Sequence, residues 1–407
     1  MKKLFFLTLM ISMLLAACQP QVFYVEATSA APALDNAGTP ASLSAPQVVE
    51  VTRLVSQEAA PPVEVTRMVT VTEEVAVEVT RSPLGSAERP IQLLFPPTYN
   101  SAIITSRGQV LADALAGATG LQFAIGVVDS EQALIDLMCM APVDTVGVLS
   151  AMGYVLANEQ CGVQLANTAV SNDGRTWQTG MIVTRRDSGL LELTDLADQS
   201  WAVPDLNSLP NFLYFQAMLL DAGIAPGEIV PVQGDNSAML SVFNGDVDFA
   251  TATYIPPILP YEEQEWVYGE DSPELWRALG ISPTRSPIGY VLVLGEPQYG
   301  GYRLRDARSG IFDIEPGIYD QTRVITLSAQ IPNEAVVLGA DFPLGLARQV
   351  TALLAEFGAS QACAESLCAG DFYAWGGLAP ADDAAYEPLR FVIETLGLTE
   401  DEIWALR

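Results

Sequence analysis

Five short segments place hydroxyl or amide side chains after an apolar strand, four of them at a helix start, a pattern that aims backbone N–H groups at a bound anion. They are residues 96–101 (PPTYNS), 150–154 (SAMGY), 205–211 (DLNSLPN), 234–238 (GDNSA) and 251–254 (TATY). The groups they offer are Thr98, Tyr99, Ser150, Tyr154, Asn207, Ser208, Asn211, Asp235, Asn236, Thr251, Thr253 and Tyr254. The competing reading is capping: Ser150, Ser208 and Asn236 are good N-caps, worth about 1 kcal/mol to a helix with no ligand present.

The rest of the inventory narrows the chemistry. The chain has no histidine, and no lysine after Lys3. Ser-His-Asp and Cys-His catalysis, His-ligated zinc, Schiff-base lysine and the P-loop lysine are therefore excluded from the mature chain. Carboxylate chemistry of the glycosidase kind stays open, yet no pair of acids converges in the pattern. Arg, carboxylates, hydroxyls, amides and aromatics make a binding protein, not an enzyme, and no cofactor is implied. A formal charge of −30 argues against nucleic acid, which is held mainly by Lys and Arg on phosphates.

The elements that must position these loops read as short apolar strands alternating with amphipathic helices from Ile91 onward. Residues 91–95, 121–128 and 145–150 read as strands, 106–115 and 130–138 as helices. Such alternation predicts an α/β fold on parallel sheets. Ligands then bind beyond the carboxyl ends of strands, where the five segments lie.

The first 17 residues have Lys2 and Lys3, an apolar run from Leu4 to Leu15, and small residues before Cys18, the pattern of a secretory signal. The run is too short for a spanning helix, which needs about 20 apolar residues. The sequence "LAAC" resembles the lipobox of bacterial lipoproteins, in which the cysteine, here Cys18, becomes the lipidated first residue. Residues 18–88 read as a flexible tether, rich at first in Ala, Pro, Ser and Thr. "VEVTR" recurs in it at 49–53, 63–67 and 77–81, and its valines share odd parity, so a β-rich stalk is the alternative. As a coil, roughly 70 residues span on the order of 45 Å. Four further cysteines permit disulfides in an exported chain. Spacing favours Cys363 with Cys368 and Cys139 with Cys161 among three pairings, and without a CxxC pair no metal site is expected.

Residues 185–205 (RRDSGLLELTDLADQSWAVPD), 234–252 (GDNSAMLSVFNGDVDFATA), 322–338 (TRVITLSAQIPNEAVVL) and 381–390 (ADDAAYEPLR) resemble successive signatures of the phosphate/phosphite/phosphonate-binding family. These are solute-binding proteins of ABC transporters with the type 2 periplasmic binding protein fold. The resemblance implies two lobes, residues 89–184 with 331–407 and residues 185–330, crossed by GMIVTRR (180–186) and ITLSAQIPN (325–333). Residues 255–305 read as an insertion in the second lobe. It also implies an oxyanion of the phosphate or phosphonate type in the cleft, an ABC permease as partner, a monomer, and contact with the membrane through the lipid only. A ligand-sensing or surface-interaction role on the same fold, or another solute such as a sulfonate or a pyrimidine-like molecule, is the alternative. Where the family turn often reads Ser-Thr-Ser-Gly, this chain has Asn207-Ser208-Leu209-Pro210. The family's acidic positions for an aminoalkyl group read Thr251, Thr253 and Tyr254, and a common histidine is replaced by Asp235 or Asn236. Replacing Cys18 by Ser is expected to move the protein from the membrane to the soluble fraction; retention of the variant on membranes would contradict lipidation there.

Overall fold

The computed structural model describes residues 41–55, 63–77, 81–262, 264–294 and 301–406. The expected leader, Cys18 and the remainder of the expected tether lie outside the described residues. The chain divides into two units, residues 1–81 and 82–407. In the first, β1 (Ala41–Val55) pairs antiparallel with β2 (Val63–Val77), from Ala41 opposite Val77 to Val55 opposite Val63. The stretch read as a coil thus contains a two-stranded pair, with Val49 opposite Val69.

In the second unit, β3 (Ile91–Phe95), α1 (Ser101–Thr119), β4 (Phe123–Val127), α2 (Glu131–Met140), β5 (Thr145–Leu149), α3 (Ala151–Cys161) and β6 (Gln164–Val170) alternate. Then come β7 (Trp177–Arg185), β8 (Trp201–Val203), α4 (Tyr214–Asp221), β9 (Ile229–Pro231), α5 (Gly234–Asn244) and β10 (Phe249–Tyr254). A three-stranded sheet follows, of β11 (Thr284–Arg285), β12 (Val291–Leu294) and β13 (Gly301–Leu304), then α6 (Ile318–Gln321) and β14 (Thr322–Leu327). The chain ends with β15 (Ile331–Pro332), β16 (Ala335–Leu338), α7 (Leu344–Gly358), β17 (Gly377–Pro380), α8 (Glu387–Leu396) and α9 (Glu400–Ala405). Helix α1 starts earlier than its apolar period suggests, because the Asn100 side chain accepts from the Ala102 N–H at 2.9 Å and caps it.

The first lobe is the sheet β17-β6-β16-β5-β3-β4, the second the sheet β14-β7-β10-β8-β9. In the first, β3 is parallel to β4 and β5; in the second, β8 is parallel to β9 and β10. All five residues of β5 are buried, as in a strand covered on both faces. Each parallel trio brings its carboxyl ends to one edge of its sheet, and four of the five predicted ligand loops leave from those ends, the fifth being the end of β10 itself.

The chain passes between lobes twice, once along β7 and once from β14 into β15, which pairs with β7. Its Trp177 and Gln178 pair with Pro332 and Ile331 of β15, while Thr179–Arg185 pairs with β10 and β14. The expected boundary at Thr184 is therefore too late, since the apolar run "GMIV" already belongs to the second sheet. An apolar strand reads alike in either sheet, so the sequence pattern could not mark the exchange. A Cβ at Gly180 would strike the Pro210 carbonyl oxygen, so glycine lets that turn lie on the strand. On one face the lobes share a core: α8 of the first packs on α4 of the second, with the Tyr214 and Phe391 rings 5.8 Å apart. Disulfides join Cys139 to Cys161, tying α2 to α3, and Cys363 to Cys368.

Residues 264–294 and 301–321 are fixed to the second lobe by buried charge. Arg308 is wholly buried and donates to Asp306 at 2.9 Å and to Glu274 at 2.6 Å, with the Tyr319 ring 4.5 Å from its guanidinium carbon. Glu274 also accepts from Arg186 at the end of β7, at 2.7 Å. Removing one partner leaves a buried charge unanswered. Glu274→Ala is therefore expected to lower the unfolding free energy by about 3–5 kcal/mol, read by urea titration; a loss under about 1 kcal/mol would show the network to be no stronger than a surface pair.

Candidate functional site

At the edge of the first lobe, the loop after β3 carries Thr98, which is exposed, and Tyr99, whose ring meets Phe372 and Tyr373 edge-on at 5.2 and 5.3 Å. Burial and the Glu334 carboxylate push the Tyr99 hydroxyl above its ordinary pKa. After β5, Ser150 caps α3, its Oγ accepting from the Gly153 N–H at 2.9 Å. The Ser150 N–H itself donates to Glu131 Oε1 at 2.6 Å, and the Ser150 hydroxyl lies 3.4 Å from Oε2. Glu131 opens α2 and is only 4 % exposed, so a buried carboxylate of the chain occupies the anion position of α3. A Cβ at position 153 would run into that carboxylate, which accounts for Gly153.

The second lobe repeats the arrangement. Asp205 accepts from the Asn207 N–H through Oδ1 at 2.9 Å and from the Ser208 N–H through its carbonyl at 3.2 Å. Ser208 Oγ accepts from the Asn211 N–H at 3.2 Å, and the Ser208 carbonyl from Phe212 and Leu213, both at 3.0 Å. Pro210 sits at the start of this turn, where a missing N–H does no harm. Asn211 Nδ2 donates to Thr253 Oγ1 at 3.0 Å, and the Thr253 N–H to Asp235 Oδ2 at 3.2 Å. Ser208, Asn211, Thr253 and Asp235 thus meet in one hydrogen-bonded chain, with the buried Asn211 Oδ1 left without a partner.

Other predicted residues face elsewhere. Tyr154 is 1 % exposed; its hydroxyl donates to Asp383 at 2.6 Å and its ring stands edge-on to Tyr386 at 4.6 Å, leaving nothing for a ligand. Thr251 is fully buried and accepts from the Trp201 indole at 3.0 Å. Tyr254 is also fully buried, donates to the Pro273 carbonyl at 3.1 Å, and is pushed up in pKa by burial. Asn236 does not cap α5, which begins at Gly234; its amide packs against Gly310 instead. Thr251 and Tyr254 of β10 are both fully buried, so a strand-end motif was in these cases a core motif.

Sequence reasoning missed Glu131, Asp205 and Glu334. A signal existed for the first: residues 128–131 (VDSE) follow β4 as the chosen loops follow their strands, and the strand-end rule covers them too. A cavity of about 720 Å³ at the crossing was missed as well. It is lined by residues of both lobes and by Gln330, and none of the twelve predicted ligand residues reaches it. Among the described residues no group of His, Cys, Asp and Glu is placed to hold a metal ion.

A family model described as ABC transporter, phosphonate, periplasmic substrate-binding protein, matches residues 93–386. The chain belongs to this family. As a periplasmic substrate-binding protein it has the two-lobed type 2 fold, an extracytoplasmic location and a small-molecule ligand, and it works with an ABC permease; the family is one of transport components, not enzymes. Solved structures similar to it include a Xanthomonas citri protein bound to chloride ion (13 % identity, TM-score 0.42, covering 75 % of this chain and 97 % of that one). A binding protein component of an ABC phosphonate transporter from Pseudomonas aeruginosa has 16 % identity and TM-score 0.36, covering 78 % and 93 %. PhnD1 from Prochlorococcus marinus in complex with methylphosphonate has 10 % identity and TM-score 0.36, covering 75 % and 98 %. None of the curated proteins compared matches this substrate-binding protein. No described helix is long and apolar enough to cross a membrane.

Burial works against the charge on Asp383, but hydrogen bonds from Arg390, at 2.6 Å, and from Tyr154 hold its carboxyl below the ordinary value. A carboxyl whose folded pKa is depressed stabilises the fold above its unfolded value, and that contribution fades as pH falls through the folded one. Asp383→Asn is expected to cost stability at neutral pH and to converge on the parent protein below about pH 4. A stability difference that stays constant from pH 7 to pH 3 would contradict this.

Proposed function

We propose that this protein is the lipid-anchored solute-binding component of an ABC importer, taking a small oxyanion between its lobes and presenting it to a permease. The observation that carries the reading is the family match over 93–386 on two lobes joined by two crossings, an arrangement in which a ligand touching both lobes favours the closed form. Phosphate-type ligands are the family default.

One feature favours a second ligand class. Three N–H groups at the lobe edges, of Ser150, Asn207 and Thr253, already donate to Glu131, Asp205 and Asp235. A compact dianion such as phosphate would meet these carboxylates at short range, where repulsion is strong in a dry cleft. A singly charged solute, for instance a sulfonate, meets less of that repulsion. The charge of −30 adds a long-range barrier that salt screens, slowing capture of any anion.

A thermal-shift screen of the soluble Cys18→Ser protein against phosphate, methylphosphonate, sulfonates and pyrimidines tests this. A ligand at 100 times its dissociation constant adds about 2.7 kcal/mol to stability. Sulfonates are expected to raise the melting temperature more than phosphate does. Ser208→Ala removes an N-cap and is expected to lower the unliganded stability by about 1 kcal/mol. Absence of a shift with every solute would count against solute binding as the function.

A further inference from the structure

The cavity at the crossing gathers what the strand-end loops lack, which is cationic donors and aromatic surface. Arg175 and Arg305 reach it from the first and second lobes, and Trp177, Trp266 and Tyr268 line it. Its volume of about 720 Å³ is that of a small-molecule site. The three rings form a series: Trp177 stands 6.1 Å from Tyr268 and Tyr268 6.2 Å from Trp266, centroid to centroid, both pairs edge-on. The Tyr268 hydroxyl donates to the Ser328 carbonyl at 2.8 Å, fixing the middle ring to the crossing segment.

Both guanidinium groups have donors left, Arg175 only its buried Nη1. Arg175 lies over Trp177 at 5.1 Å and is held by Asp173 through Nε at 2.9 Å and Nη2 at 2.8 Å. Arg305 gives Nε to the Pro256 carbonyl at 2.9 Å. Among the described residues its only carboxylate within 4 Å is the same Asp173, at 3.8 Å, beyond hydrogen-bonding reach. Burial pulls the Arg305 guanidinium below its ordinary pKa, and Asp173 does not restore it. A charge-assisted pair with a ligand acid would supply the missing partner. Asp173 and Glu265 line the cavity as well, so it balances two cations against two anions.

We propose that this cavity seats a ring-bearing oxyanion, with the ring against Trp177 and Tyr268 and the acid group on Arg305. The proposal rests on the solute-binding reading above and names its ligand class: an aromatic or heteroaromatic carboxylate, sulfonate or phosphonate. Such a ligand touches both lobes and Gln330 of the crossing at once, which is what a closing two-lobed protein needs.

The test uses phenylphosphonate, methylphosphonate and benzylamine as probes on the full mature protein, followed by tryptophan fluorescence and by thermal shift. Phenylphosphonate is expected to change tryptophan emission and to bind at least about tenfold more tightly than methylphosphonate, with benzylamine inert. Arg305→Gln is expected to weaken phenylphosphonate on the order of tenfold or more. Trp177→Ala, which leaves the Arg305 contacts in place, should abolish the preference for the phenyl over the methyl compound, and it serves if the Arg305 variant fails to fold. Equal binding of the two phosphonates, or phenylphosphonate affinity unchanged in both variants, overturns the cavity proposal while leaving solute binding intact. No shift with either phosphonate overturns the ligand class, and no shift across the wider solute screen overturns the function as well.

Discussion

A helix start at the mouth of a cleft attracts negative charge, and in this protein the chain supplies that charge itself. Glu131 answers the Ser150 N–H at the start of α3, and Asp205 answers the Asn207 N–H just before the Ser208 turn. Hydrogen bonds from N–H to carboxylate are among the stronger polar contacts a fold can make, and of these two the part-buried one to Glu131 is the better shielded from water. The consequence reaches through the site. Edge loops that are satisfied internally make a firm rim, while recognition passes to groups that are not. Arg305 is such a group, with one carboxylate at 3.8 Å that is already bound to Arg175.

That division agrees with the frame around it. The lobes are tied by the passage of β7 and β15 and by α8 lying on α4, so one side of the molecule is a shared core. The cavity at the crossing lies where a residue of either lobe and of the connecting segment can touch one solute. The second-lobe segment that walls it is held by the buried Arg308, Asp306 and Glu274 cluster, so Arg305 sits beside a fixed anchor rather than in a free loop.

Much of this architecture is legible in the sequence, for identifiable reasons. The β3 and β5 strands are largely apolar runs because both faces are covered, and α1 shows in the spacing of Ile104, Leu111 and Leu115. The crossing was harder, since Gly180–Arg185 has the same apolar character whichever sheet it joins. The site was partly legible. Ser208, Asn211, Thr253 and Asp235 do come together at the strand ends, yet Tyr154, Thr251 and Tyr254 are core residues whose polar atoms are paired with Asp383, Trp201 and Pro273. A tyrosine or threonine near a strand end looks the same in sequence whether its hydroxyl faces a ligand or a partner 50 residues away. Glu131 and Arg305 were missed for the opposite reason: each is an ordinary charged residue until the fold sets it beside Ser150 or inside the wall of a cavity.

Amide hydrogen exchange, with and without saturating phenylphosphonate, tests the central claim most directly, because it reads the rim and the crossing in one experiment. The account predicts new protection in residues 173–178, 256–268 and 303–306, with the amides of Ser150, Gly153, Tyr154, Asn207, Ser208, Asn211, Phe212 and Leu213 unchanged because they are already bonded. Protection concentrated at 150–154 and 206–213, with the crossing unaffected, would contradict it and return the ligand to the strand-end loops.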